Sequence, residues 1–381
     1  MRIVHLADTH LGYRAYNRIT SQGLNRREAD VFNAFRSALG KIAELQPDLL
    51  IVAGDLFHAV RPSNLCIQHA FGALLDLRAK HGLSAPIVII GGNHDSPRSA
   101  DTGCILDLFT NIPDIYVVHH EYAQVRIPNL DTSVFCLCHR ALPELSDLKL
   151  EPDPGSRYNI LALHGTVEGA ARNLSDAYTI GPSDILDDRW DYVAAGHYHI
   201  HMKLADNAYY SGSTEFTSFN IWEEAGKPKG FIEYDLDGRQ AVFHKLQTRR
   251  VVDLRPLDAH GLTAAQIDEA LLARVEGVDT SHREAIIRLV IESIPRQVQK
   301  ELDYASIGKL KSEALHLEIQ FRRPRRDALT PYSTESGRTR PLEVEWQEFL
   351  RDGACIPAGV DPDSLLDMGL KYLAEQETTP E

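Results

Sequence analysis

Apolar residues in this chain come in short bursts, each stopped abruptly by a polar or small residue. Residues 2–7 alternate Ile3 and His5 with Val4 and Leu6 and end at Ala7-Asp8, a strand running into a loop. From about Glu28, the spacing of Val31, Phe32, Phe35, Leu39 and Ile42 predicts a helix with one apolar face, ended by Pro47. Leu49-Leu50-Ile51-Val52-Ala53 is then a continuous apolar run, the pattern of a strand buried on both faces. The cycle repeats with a helix at 64–81, carrying Leu65, Phe71, Leu74 and Leu75, and a strand at Pro86-Ile87-Val88-Ile89-Ile90. Further strands are predicted at 114–118, 132–138, 158–163, 191–195, 207–211, 229–235 and 240–246. Strands alternating with helices first, then strands alone, indicate a layered α/β sandwich whose later part is antiparallel.

The texture changes after Arg249-Arg250. Residues 251–322 read as strand, helix (264–275), strand (285–292), helix (about 304–312) and strand (314–321), a small α+β unit. Residues 324–341, rich in Pro, Arg, Ser and Thr, have the composition of a linker. Two amphipathic stretches close the sequence, one with Leu342, Val344, Trp346, Phe349 and Leu350, the other with Leu365, Leu366, Leu370 and Leu373. Such a pair cannot bury its apolar face alone, so it docks on this chain or on a partner. The expected plan is therefore 1–248, 249–323, a linker at 324–341 and terminal helices at 342–381.

With 381 residues, the chain exceeds what one core usually organises, and two or three units are expected. No apolar stretch reaches the roughly 18 residues a membrane helix needs, so no membrane contact is expected. The first strand turns polar at Asp8, too soon for a secretory segment, and five scattered cysteines argue against a disulfide framework. A reducing cytoplasm is the expected compartment. The formal charge of −14 runs against nucleic-acid binding by the bulk of the surface, although metal-ligating carboxylates are neutralised when occupied. Arginines cluster at Arg14, Arg18, Arg26 and Arg27 and again at Arg322, Arg323, Arg325 and Arg326. On charge alone, both clusters read as solvated faces.

Chemistry concentrates where the apolar bursts stop. Five motifs each follow a predicted strand: Asp8-Thr9-His10, Gly54-Asp55, Gly92-Asn93-His94-Asp95, His164-Gly165 and Gly196-His197-Tyr198-His199. Strand ends are where α/β sheets place their ligands. At an extended strand end, residues i and i+2 share a side, so Asp8 and His10 can grip one ion, while His197 and His199 can straddle two. Asp55, freed by Gly54, can bridge, and Gly91-Gly92 lets the backbone approach Asn93 closely. Two divalent ions about 3.5–4 Å apart activate water and stabilise an in-line displacement at phosphorus. Of the 17 histidines, His69, His81, His119, His120, His244, His260, His282 and His316 carry no such motif, and His201 reads as a bystander. Cys136-Leu137-Cys138-His139 lacks zinc-site spacing and reads as core.

These motifs resemble the calcineurin-like metallophosphoesterase superfamily, a four-layer β-sandwich flanked by helices. More narrowly, residues 7–12, 53–58, 92–96 and 196–199 resemble the nuclease subunit of SbcCD-type, or MRE-type, double-strand-break repair complexes, with Tyr210-Ser211-Gly212-Ser213-Thr214-Glu215 and Lys229-Gly230-Phe231 in support. The likeness covers about residues 1–246 and, in outline, 247–323. Asp95 stands where related protein phosphatases carry glutamate, which favours the nuclease branch.

The resemblance implies two manganese or magnesium ions, one held by Asp8, His10, Asp55 and His199, the other by Asp55, Asn93, His164 and His197. It implies that His94 protonates the leaving oxygen or steadies the scissile phosphate, with Asp95 orienting its ring. His58 is either a phosphate-contacting helper or a structural residue closing a loop. The implied activities are 3′→5′ exonuclease on duplex ends and endonuclease on single strands and hairpins, in the nucleoid. The small unit would cap the site, and the terminal helices would clasp the coiled-coil base of an SMC-type ATPase. A homodimer would form through helices at 64–81 and 99–110, although core packing accounts equally for Ile105, Leu106 and Phe109. The loop 13–27 is longer than usual, and Ser211 replaces a common proline. A phosphatase or small-molecule phosphodiesterase on the same scaffold, or a mainly structural subunit of the ATPase complex, are the alternatives.

Overall fold

The computed structural model describes residues 1–97, 102–170, 178–278, 284–324, 342–352 and 360–377. Its first apolar bursts form parallel strands β1 (Arg2–Leu6), β2 (Leu49–Ala53), β3 (Ile87–Ile90) and β4 (Ile115–Val118). Helix α1 (Arg26–Leu45) links β1 to β2, and α2 (Asn64–Ala79) links β2 to β3. Each helix starts at a side-chain cap: Asn25 accepts from the backbone N–H groups of Arg27 and Glu28, and Ser63 from that of Cys66. The period of two in β1 separates two cores. Val4 and Leu6 pack with α1 and α2, whereas Ile3 and Ala7 pack toward a second sheet.

The second sheet follows in chain order: β5 (Tyr122–Ile127), β6 (Thr132–Leu137), β7 (Tyr158–His164), β10 (Tyr192–Gly196), β11 (Met202–Ala205) and β12 (Ala208–Tyr210). A two-stranded ribbon, β8 (Thr166–Val167) with β9 (Thr179–Ile180), and the one-turn helix α3 (Pro182–Ile185) lie between β7 and β10. The chain then returns to the first sheet through β13 (Gly230–Asp235) and β14 (Gln240–Lys245), antiparallel to β1 and to each other. The result is two six-stranded sheets face to face, ordered β14-β13-β1-β2-β3-β4 and β11-β12-β10-β7-β6-β5. Helices cover the outer face of the first. The 3-10 turns at His139–Asp147, together with Trp190 and Ile185, cover the second. That is the four-layer sandwich.

One expectation fails. The later strands are not uniformly antiparallel, because β6, β7, β10 and β12 run parallel to one another and only the edge strands β5 and β11 oppose them. Their continuous apolar runs, buried on both faces, are the pattern of a parallel sheet centre. The helix expected at 99–110 is a 3-10 turn at Ile105–Asn111, with residues 98–101 outside the described part. Leu106 and Phe109 are buried in the core shared with α1 and α2. Cys136 and Cys138 are likewise buried and reduced.

Residues beyond Arg250 build a separate, four-stranded sheet from β15 (Val251–Asp253), β16 (Leu257–Asp258), β17 (Ile286–Glu292) and β18 (His316–Phe321), every strand parallel to β17. Helices α4 (Ala264–Glu276) and α6 (Tyr304–Glu313), with the short α5 (Arg296–Lys300) before α6, accompany it; Ile267, Leu271, Ile307 and Leu310 fill its own core. The arginines between β1 and the first turn of α1 are paired, although Arg14 and Arg26 keep solvent exposure. Arg18 donates to the carbonyls of Lys311 and Ala314 at the end of α6, both at 2.9 Å. Arg26 pairs with Glu284 at 2.9 Å, and buried Arg27 with Asp30 and Glu215. Tyr16 stacks on His316 at 4.0 Å. Of the second arginine run, Arg322 pairs with Glu292, and Arg325 and Arg326 lie outside the described residues.

The chain divides at Pro324 into two compact units. In the second, α7 (Leu342–Asp352) and α8 (Pro362–Glu377) pack on each other, the Trp346 indole donating to the Leu366 carbonyl. Phe349, Met368 and Tyr372 remain exposed. No helix among the described residues is long and apolar enough to cross a membrane.

Candidate metal centre

Five strands stop at one end of the sandwich, and the polar residues just beyond them converge. Asp8 and His10 are not on an extended strand end, as alternation predicts. Both lie in the left-handed region, φ 51° and 47°, as do Asp55 at 52° and His197 at 100°. Non-glycine residues held there are strained, and such strain gathers at functional sites. Neighbouring loops hold it in place. The N–H groups of Asp8, His10 and Leu11 donate to the carbonyls of Gly54, Asp55 and Leu56, zipping the first two motifs together. From the other sheet, the His197 N–H donates to the Asp8 carboxylate at 3.0 Å.

Two overlapping groups of donor atoms result. Asp8, His10 and His199 gather around one point, with His10 Nε2 and His199 Nε2 3.0 Å apart. Asp8, Asp55 and His164 gather around another, and Asn93 Oδ1 lies 3.1 Å from His164 Nε2 and 3.0 Å from His197 Nδ1. Asp55 faces both: its Oδ2 is 3.6 Å from His10 Nε2 and 3.4 Å from His164 Nε2. His197 and His199 thus straddle the site. Glycines permit the approach. A Cβ on Gly92 would fall 2.1 Å from Asp55 Oδ1, and one on Gly54 2.1 Å from His164 Nδ1.

The electrostatics suit cations. Burial lowers His10 to about 3 and drives His199 well below its ordinary value, so both imidazoles are neutral with a lone pair to give. Burial raises Asp8 to about 6, the Asp55 charge adding to it against the pull of His164. Burial would also raise Asp55, but adjacent His164 holds it well below the usual range; reciprocally, Asp55 overcomes burial to raise His164 to about 9. A proton therefore sits between that pair where a divalent ion would replace it. Carboxylate and amide oxygens mixed with imidazoles fit first-row divalent ions.

Comparison with known proteins gives the chain a family. Residues 1–201 match the sequence profile of the calcineurin-like phosphoesterases, more than half of the chain. The chain belongs to that family. Among curated relatives of this phosphoesterase, the DNA double-strand break repair protein Mre11 of Methanococcus maripaludis is 30% identical over 250 residues, 62% of this chain and 64% of that protein. The Mre11 of Methanocaldococcus jannaschii is 30% identical over 248 residues, 62% of this chain and 63% of that protein. The Mre11 of Methanopyrus kandleri is 28% identical over 379 residues, 93% of this chain and 76% of that protein. The chain thus spans less than two thirds of the first two relatives' own length.

Beside the ligand groups of the phosphoesterase, three histidines form a further cluster: His10, His58 and His94. The rings of His58 and His94 stack at 5.0 Å, and His58 Nδ1 lies 3.3 Å from His10 Nδ1. His94 Nδ1 donates to the His58 carbonyl at 3.0 Å, so His58 orients His94. Asp95 does not. Its buried carboxylate instead accepts from the backbone N–H groups of Leu56 at 2.7 Å and Gly92 at 2.8 Å. The residue pins the Asp55 loop to the Asn93 loop, because a buried carboxylate takes the nearest unpaired N–H groups.

Other neighbours carried no sequence signal. The edge of Tyr13 meets His58 at 5.0 Å, and the His139 ring lies 5.9 Å from that of His197. Buried Glu224 faces His199 Nδ1 at 3.6 Å and pairs with buried Lys229. Only Lys229 had a marker, a lysine opening an apolar strand. His201 stacks on Phe243 at 4.2 Å, outside the ligand groups.

Proposed function

We propose that this chain is the nuclease subunit of a DNA double-strand-break repair complex, hydrolysing phosphodiesters with two Mn²⁺ ions. The carrying observation is the pair of donor groups that share Asp8 and are both faced by Asp55, with the stacked His58–His94 pair beside them. The names of its archaeal relatives support the DNA substrate. Asp8, His10, Asp55 and His199 would hold one ion, and Asp55, Asn93, His164 and His197 the other. Once bound, two such ions supply Lewis acidity, activating water and neutralising charge on the phosphate.

The remaining work falls to the chain itself. With the His94 Nδ1–H committed to the His58 carbonyl, Nε2 carries a proton only in the imidazolium form. That form attracts the scissile phosphate. As water oxygen bonds to phosphorus and the ester P–O bond breaks, Nε2 gives its proton to the departing oxygen, and the proton shed by the attacking water passes to solvent, from which the imidazole is recharged. The strained loops keep Asp8, Asp55 and His197 in place without reorganisation.

In this reading the activities are 3′→5′ exonuclease on duplex ends and endonuclease on single strands and hairpins, beside the nucleoid. The small sheet and its helices cap the site. Exposed Phe349, Met368 and Tyr372 on the terminal helices suit docking to an SMC-type coiled-coil ATPase, and exposed Leu65 and Leu75 on α2 suit a homodimer. The test is His94→Ala on labelled duplex and hairpin DNA with Mn²⁺. Cleavage should fall by roughly 10²- to 10⁴-fold while Mn²⁺ binding is kept. Cleavage at the wild-type rate would remove His94 from the chemistry, and a wild-type protein that cuts only small phosphodiesters would overturn the DNA reading.

A further inference from the structure

The other nitrogen of a metal-ligating imidazole is as telling as the ligating one, because it normally donates to an acceptor that fixes the tautomer. His164 obeys this rule, its Nδ1 lying 2.9 Å from the Ala53 carbonyl. His199 does not. Its Nδ1 is buried with no hydrogen-bond partner, yet Glu224 Oε1 stands 3.6 Å away. Glu224 is itself buried, and its other oxygen accepts from Lys229 Nζ. Lys229 also donates to the His199 carbonyl at 2.7 Å and to Ser213 Oγ at 2.8 Å. The ion pair therefore touches His199 twice, at its ring and at its backbone.

We infer that Glu224, held in place by Lys229, is a positioning residue that selects the metal-ligating tautomer of His199. The inference rests on the two-ion reading above. His10 Nε2 and His199 Nε2 are 3.0 Å apart, so one of them carries a proton. When that proton is on His199, its Nδ1 has nothing to donate to Glu224, which matches the long 3.6 Å separation. An ion taking the Nε2 lone pair leaves the His199 proton on Nδ1, aimed at the carboxylate. Closing that gap by about 0.7 Å makes an ordinary charge-assisted hydrogen bond. Glu224 thus gains a donor only when the ion arrives, which favours the occupied state. Lys229 lets the carboxylate stay ionised in a buried place, where an unpaired charge would be costly.

The measurement is calorimetric titration of the full chain with Mn²⁺ alone, beside melting of the metal-free protein. Wild type should bind two ions. Glu224→Gln should weaken one of them by about 10- to 100-fold, leave the other within about twofold, and melt near wild type. A merely structural ion pair would lower melting without touching affinity. Because Glu224→Gln leaves Lys229 without its anionic partner, the volume-matched pair Glu224→Met with Lys229→Met is measured too. Buried ion pairs tolerate such exchange, and the same single ion should weaken. Wild-type affinity for both ions in either folded variant overturns the proposal. A wild-type chain that binds fewer than two Mn²⁺ overturns the two-ion reading instead.

Discussion

The two sheets of the sandwich meet at the candidate metal centre with different chemistry. The first delivers every carboxylate and the amide, Asp8, Asp55 and Asn93, along with His10, His58 and His94 from the same loops. The second delivers only imidazoles, His164 at the end of β7 and His197 and His199 after β10. Their supports differ in kind. First-sheet donor residues are fixed by backbone zipping between adjacent loops, with Asp95 as the staple. Second-sheet imidazoles are held one by one, His164 by a carbonyl of the opposite sheet and His199 by Lys229, which donates to its carbonyl. The first sheet sets the charge of the centre and the second closes it.

The largest effect expected from this division is at Asp55, whose Oδ2 faces His10 of one donor group and His164 of the other. Asp55→Asn keeps the shape and removes the charge, and both Mn²⁺ affinities should fall by more than about 100-fold, beyond the usual loss from an outer partner. His164→Ala, a second-sheet change, should weaken one ion only. Titration of the two variants side by side checks the contrast, and equal loss in both would erase the difference between the sheets.

Sequence showed the first sheet more completely than the second. β1, α1, β2, α2 and β3 have clear periodicity and clean stops, and each ligand follows an apolar run. That β6, β7, β10 and β12 run parallel was hidden, because strand direction depends on where a long connection returns the chain. Edge strands β5 and β11 escaped notice, since their partly exposed faces dilute the apolar run. Asp95 was misread because adjacency to His94 in sequence says nothing of where a carboxylate points. Glu224 lay in no strand and beside no glycine, and only the fold brings it to His199. The arginines after β1 looked like a solvated face until the small sheet supplied Glu284 and the carbonyls of α6.

A smaller but sharper break should come at Gly196, where β10 passes directly against the end of β2. A Cβ there would fall 1.9 Å from the Ala53 carbonyl oxygen and 2.9 Å from His164 Nδ1. Neither backbone can yield without spreading β10 from β2, so Gly196→Ala should cost about 3 kcal/mol, the upper part of the overpacking range. Gly40 in α1 is the control. Nothing stands within 4 Å of its Cβ position, and Gly40→Ala should stabilise by about 0.5–1 kcal/mol through helix propensity. Urea unfolding of the metal-free proteins separates the two, and a neutral Gly196→Ala would mean the sheets are looser than this geometry requires.

The smallest effect tests how the sheets are joined away from the metals. His5 of β1 and Tyr192 of β10 meet in the inter-sheet core, Nδ1 and Oη 3.0 Å apart. Burial, then the neighbouring His201, lowers His5 to about 3 from an ordinary 6.5. Above pH 6.5 the ring is neutral in both folded and unfolded chains and makes stability no steeper with pH. Below it, the unfolded chain takes up a proton that the folded chain refuses, so stability falls as pH drops toward 3. At pH 5 that loss is about 2 kcal/mol, at roughly 1.4 kcal/mol per unit below 6.5. His5→Phe removes it, so between pH 7.5 and 5 the variant should lose about 2 kcal/mol less than wild type in metal-free urea titrations. Parallel losses in the two proteins would mean that acid opens the sandwich from its metal end, where the carboxylates of the first sheet meet the imidazoles of the second.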